Sequence, residues 1–147
     1  MSVKPSSRGF TLVELLVVIA LIAIASGLAS LALRDPTANR LEQEAARLAA
    51  LLESARAEAR ASGLAVRWEP RADVAATQDF RFVGLPPAND LPQHWLNEGV
   101  TAEIAGARAV VLGPEPLIPA QRIVLVLQDR RLTLATDGLG PFEVVNE

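Results

Sequence analysis

The 147-residue chain contains no cysteine and one histidine, His94, and its aromatic content is only 4%. Without a thiol there is no disulfide framework, thiolate zinc site or cysteine nucleophile. A single histidine excludes a multi-histidine metal site. The phosphate-binding G-x-x-x-x-G-K-[ST], the dinucleotide-binding G-x-G-x-x-G and the hydrolase G-x-S-x-G are all absent, so the common motif-borne enzyme classes have no foothold. Lys4 is the only lysine. With Lys4 and Arg8 set aside, the 14 basic residues fall to 12 arginines against 17 acids. From Phe10 onward the chain is therefore acidic, and nucleic acid should repel it.

Apolar residues are concentrated near the amino terminus. Met1–Gly9 (MSVKPSSRG) is short, polar and basic, and residues 10–33 are apolar except for Thr11, Glu14, Ser26 and Ser30. At ~1.5 Å per residue such a helix runs ~36 Å, against a bilayer core of ~30 Å. Basic residues ahead of the span predict a cytoplasmic amino terminus and an exported remainder. A cleaved secretory signal with an Ala23-Ile24-Ala25 site is one alternative, although its apolar region would be unusually long and would begin with an acid. A plain single-span anchor is another, and it leaves Glu14 unexplained. A carboxylate inside a membrane helix costs on the order of 2.5 to 3.5 kcal/mol at mid-bilayer, less near the interface, and usually has a function and a partner. No basic residue follows before Arg34. A free α-amino group, created by a cut just before Phe10, would supply the missing charge.

Arg8-Gly9-Phe10-Thr11-Leu12-Val13-Glu14-Leu15-Leu16, leading into the apolar run, resembles the class III signal of type IV prepilins and type II secretion pseudopilins. The resemblance implies cleavage after Gly9 by a membrane-embedded prepilin peptidase and methylation of the new terminus at Phe10. It also implies that Glu14 attracts the amino terminus of a neighbouring subunit during assembly, where two charges already in lipid gain far more from pairing than in water.

Arg34-Asp35-Pro36 closes the apolar run. Asp35 as N-cap and Pro36 at the first helical position would start a second helix; alternatively Pro36 kinks one helix running from Phe10 to Ser62. Leu41, Ala45, Leu48, Leu52, Ala55 and Ala59 recur at spacings of three and four, with Arg40, Glu42, Glu44, Arg47, Glu53, Arg56, Glu58 and Arg60 between them. This predicts one apolar stripe on an otherwise solvated helix, with Gly63 as its stop. After Gly63 the period becomes two. Strands are expected at 64–69, 80–85, 100–105, 109–112, 122–128, 131–136 and 141–145, the last three as a meander. The turn-rich segment 86–99 has room for one helical turn at Gln93–Asn97.

Together these predict an α+β fold: a long amino-terminal helix, transmembrane and then amphipathic, with antiparallel sheets packed on its distal half. The order is similar to that of pilins. The stretch Gln43–Leu48 with Ala55–Ala59, the loop Leu91–Leu96 and the meander Leu132–Val145 with Asp137-Gly138 at its turn resemble the H-type minor pseudopilins of type II secretion and the related FimT-like minor pilins. That resemblance implies a leader at 1–9, a transmembrane helix at 10–33 and a periplasmic domain at 34–147, single-pass in the inner membrane. It implies a minor subunit near the tip of a pseudopilus that drives protein export. Its partners would be the other minor pseudopilins, the major pseudopilin, the prepilin peptidase, the inner-membrane assembly platform and the bilayer. No enzymatic activity, cofactor, metal or nucleic acid is expected. The alternative is a minor type IV pilin serving pilus assembly or DNA uptake, but the FimT-like DNA binders use a basic carboxy-terminal region and this chain ends in acidic Phe142–Glu147.

Other candidates weigh less. His94 beside Trp95 could mark a binding spot, though Trp95 packing over a sheet edge with His94 exposed is the simpler expectation. Asp73 with Asp79, or Asp129 with Asp137, lack the dense acid and Asn cluster of a calcium loop. Gly138-Leu139-Gly140 reads as turn chemistry and Arg130-Arg131 as a solvated turn.

Overall fold

The structure, a computed structural model, describes residues 10–32, 35–71 and 77–145; for residues 28–32 the backbone alone is described. The chain divides into two units, Met1–Asp35 and Pro36–Glu147. The first contains helix α1, Leu12–Ala32. The second contains helix α2, Pro36–Ser62, and seven strands: β1 Val66–Pro70, β2 Phe80–Val83, β3 Thr101–Ile104, β4 Val110–Gly113, β5 Gln121–Leu127, β6 Arg130–Thr136 and β7 Glu143–Val145.

Helix α2 starts at Pro36 directly after non-helical Asp35. Of the two readings of Pro36, the structure adopts the one in which proline occupies the first helical position, where it has no N–H to leave unsatisfied. The helix stops where Gly63 takes a φ of 68°, the left-handed conformation that glycine adopts without a Cβ penalty.

The strands form two antiparallel sheets, β2-β1-β4 and β3-β5-β6-β7. β5 and β6 pair along their full length, from Gln121↔Thr136 to Leu127↔Arg130, and β7 continues the meander through Thr133↔Val145 and Ala135↔Glu143. Alternation sorts the β5 side chains. Ile123, Leu125 and Leu127 face the core, while Val124 and Val126 are half-buried on the other face. One core forms between α2 and the sheets from Leu41, Leu48 and Leu52 of the helix, Trp68 and Phe80 of the small sheet, and Ile123, Leu125 and Leu134 of the large one. Burying each such side chain contributes about 1.5 to 3 kcal/mol before ordering costs.

Two expectations are corrected. Gln93–Asn97 forms no helical turn. Its backbone groups are taken up elsewhere: the Gln93 carbonyl accepts from the N–H of Asp79 at 3.0 Å and of Phe80 at 3.3 Å, and the Trp95 N–H donates to Asp79 Oδ2 at 2.8 Å. A helical turn would need the Gln93 carbonyl for the Asn97 N–H, and that N–H donates to Glu44 Oε1 instead. Nor are all the charged side chains of α2 solvated, since Glu44 is 0% and Arg56 2% exposed. Their partners are described below.

The β6–β7 turn shows why one glycine is required. Gly138 has a φ of 94°, and a Cβ there would fall on the Ile118 carbonyl oxygen. Gly138→Ala is expected to cost about 3 kcal/mol, combining backbone strain with a backbone clash. Gly63→Ala, with nothing within 4 Å of the added carbon, should cost about 1 kcal/mol. Denaturant unfolding of both variants tests the difference, and equal costs would contradict it.

Candidate processing and assembly site

The chain enters α1 through an N-cap. Phe10 and Thr11 are non-helical. The Glu14 N–H donates to Thr11 Oγ1 at 3.2 Å, and the Leu15 N–H to the Thr11 carbonyl at 3.1 Å. Thr11-Leu12-Val13-Glu14 thus has the spacing of a capping box, with the hydroxyl satisfying one of the donors that a helix start leaves open. Glu14 lies in the first turn, where a negative charge also complements the helix dipole. The T-x-x-E spacing that signals this cap lies inside the prepilin-like motif and is a sequence-level helix-start signature that the reading of the motif passed over.

Phe10 is 67% exposed, immediately ahead of the helix. Gly9, on the other side of the expected cut, lies outside the described residues, as do Lys4, Arg8 and Arg34. The described side chains of α1 are exposed all round, including Leu16, Ile19, Ile22 and Ile24. Among the described residues no helix is long and apolar enough to cross a membrane; the side chains of 28–34 are outside that set.

In the second unit, charged side chains of α2 hold two loops by their backbones. Glu44 Oε1 accepts from the Asn97 N–H at 2.7 Å and from Asn97 Nδ2 at 2.9 Å, while Arg47 Nη1 donates to the His94 carbonyl at 2.8 Å. The segment ending at Asn97 is also pinned by Trp95, whose ring centroid lies 4.7 Å from that of Phe80. At the other end of the helix, Arg56 Nη2 donates to the Gly138 carbonyl at 2.7 Å and Nη1 to the Gly140 carbonyl at 2.8 Å. The same turn is tied internally. Asp137 Oδ1 accepts from Gly140 N–H at 2.8 Å and Leu139 N–H at 2.9 Å, and Thr136 Oγ1 donates to the Gly140 carbonyl at 2.8 Å. The Gly140 and Leu139 N–H groups hold the Asp137 carboxyl below the usual carboxylate range. That contribution is complete above the ordinary carboxylate pKa and fades as pH falls through the lowered value.

His94 is 61% exposed, with Nδ1 3.5 Å from Asp79 Oδ2. Among the described residues no three His, Asp or Glu side chains converge on a metal-sized space. Asp73 lies outside those residues, and the Asp137 carboxylate is engaged in its own turn.

Residues 4–30 match the prokaryotic N-terminal methylation motif. The chain also resembles the crystal structure of the type IV minor pilin FimU of Pseudomonas aeruginosa, with a TM-score of 0.55 and 15% identity, over 74% of this chain and 90% of that one. The fold is pilin-like. No curated protein matches the sequence.

Proposed function

We propose that this chain is a minor filament subunit, cut after Gly9 and methylated on Phe10 by a prepilin peptidase. Residues 10–33 hold it in the inner membrane, and residues 34–147 stand in the periplasm. The supporting observation is the start of α1: a non-helical Phe10 and a first-turn Glu14 head a helix that is apolar on every side, within a stretch that matches the methylation motif. An all-round apolar helix is suited to lipid or to a bundle of like helices. The subunit would assemble with other minor subunits and the major subunit on an inner-membrane platform, with no chemistry of its own.

Within this reading we favour the type II secretion pseudopilus, because the domain's acidic balance disfavours capture of DNA. A second reading, a minor type IV pilin, is supported by the likeness to FimU. Deleting the gene separates them: loss of protein export with pili intact supports the first, and loss of pili with export intact the second.

Processing is tested by intact mass. Chain taken from cells with an active prepilin peptidase should begin at methylated Phe10, and Gly9→Ala should leave the longer precursor. A mature terminus near Ser26 would instead indicate a secretory signal.

A further inference from the structure

An open sheet edge is a row of backbone groups that another chain can pair with, and proteins blunt such edges with charge, proline or a covering segment. Among the described residues the edge strands are β2 and β4 of the small sheet and β3 and β7 of the large one. Three of these carry an exposed charged residue: Arg81 in β2, Glu103 in β3 and Glu143 in β7. β4 carries none. It reads Val110-Val111-Leu112-Gly113, an apolar, β-branched run without proline, and such a composition favours pairing between chains.

One side chain occupies the outer edge of β4. Val111 sits opposite Arg67 of β1, yet its own backbone groups turn the other way: the Val111 N–H donates to Gln121 Oε1 at 2.7 Å, and Gln121 Nε2 donates to the Val111 carbonyl at 2.9 Å. The carboxamide thus gives β4 the donor and the acceptor that a neighbouring strand would give. Its backbone is fixed as the first residue of β5, paired with Thr136. Residue type matters here. A glutamate would accept from the N–H but set a second acceptor against the carbonyl, and a lysine would donate without accepting.

We propose that Gln121 guards the β4 edge: by holding Val111 with its side-chain amide, it keeps this uncharged strand from pairing with β4 of a second copy. A second β4 is the occupant excluded, because antiparallel pairing centred on Val111 would let the two Val111 residues exchange both backbone bonds. Those are the two bonds that Gln121 now makes. Such a pair is isologous and closes as a dimer. The guard lies within the Pro36–Glu147 unit and acts whichever filament the chain enters, so it does not depend on the secretion or pilus assignment.

The test uses the full chain purified in detergent, where α1 is common to every variant and any association through it cancels in the comparison. By light scattering on a size-exclusion column, Gln121→Ala should associate at about a tenfold lower concentration than wild type, the effect of freeing two backbone hydrogen-bonding groups for a partner. Adding Val111→Pro should return wild-type behaviour, because proline removes the outward N–H and is tolerated on an edge strand. Val111→Lys, which places a charge on the edge, should act in the same direction. Gln121→Glu keeps the side-chain size and one of the two bonds, and should fall between Gln121→Ala and wild type. Circular dichroism identifies the folded variants. A folded Gln121→Ala chain that associates no more than wild type would overturn the proposal and leave Gln121 as a tie between the sheets. Association that neither Val111 substitution reduces would overturn it as well, since the contact would lie elsewhere. Should Gln121→Ala not fold, Gln121→Glu decides, and association no stronger than wild type then sinks the guard.

Discussion

Arg56→Ala is expected to destabilise the Pro36–Glu147 unit by about 3 to 5 kcal/mol, the range for removing one partner from a buried, charged hydrogen-bond set. The guanidinium is 2% exposed and donates to two carbonyls of one turn, with Nη1 also 3.5 Å from Glu53 Oε1. Alanine would leave both carbonyls and the Glu53 carboxylate without their cation, above a cavity the size of the lost side chain. Arg56→Lys should recover only part of the loss, because an ammonium cannot reproduce the planar fork that reaches Gly138 and Gly140 together. Arg60→Ala, at an exposed position on the same helix, should stay within about 0.5 kcal/mol of wild type. Denaturant unfolding of the three variants checks the order. An Arg56→Ala cost below about 1 kcal/mol would mean that the turn holds itself through Asp137 and Thr136 alone.

The spacing of α2 already contained this arginine's position. Leu41, Glu44, Leu48, Leu52, Arg56 and Ala59 advance by three or four throughout, so both charged residues lie on the buried stripe. Residue type pointed the other way, since ionic side chains are rarely buried without partners. Those partners are backbone groups 53 positions from Glu44 at Asn97 and more than 80 from Arg56 at Gly138 and Gly140. No local pattern announces them. Strands were legible because alternation is local: Val66 and Trp68 are buried on either side of exposed Arg67.

Partition of the strands into two sheets was not legible. β3 and β4 are consecutive in the chain, yet β3 pairs with β5 and β4 with β1, and period carries no information about pairing across such distances. The candidate site divides in the same way. Gly9, Phe10 and Glu14 fall within nine residues of one local motif, whereas the carbonyls that Arg56 holds belong to a turn more than 80 positions away.

Glu14→Gln is expected to lower incorporation into the filament by about tenfold or more, an effect of the size expected when a charge pair is lost in a low-dielectric setting. The structure sharpens the choice of substitution. Glu14 is the third residue of a helix capped by Thr11, whose hydroxyl accepts from the Glu14 backbone N–H, and glutamine keeps that N–H and suits the position. The helix start should therefore survive while the negative charge is lost. Membrane insertion should become easier, since the unpaired acid is what costs energy in lipid, and cleavage after Gly9 should largely persist. Thr11→Val is the complementary variant, because it removes the capping hydroxyl and keeps the carboxylate. If assembly needs charge, Glu14→Gln fails to co-purify with the other subunits at equal membrane levels while Thr11→Val is recovered. If assembly needs only an intact helix start, Thr11→Val is the defective one. Equal recovery of Glu14→Gln and wild type, with normal export, would show that the Glu14 charge has no part in assembly and reduce α1 to an anchor.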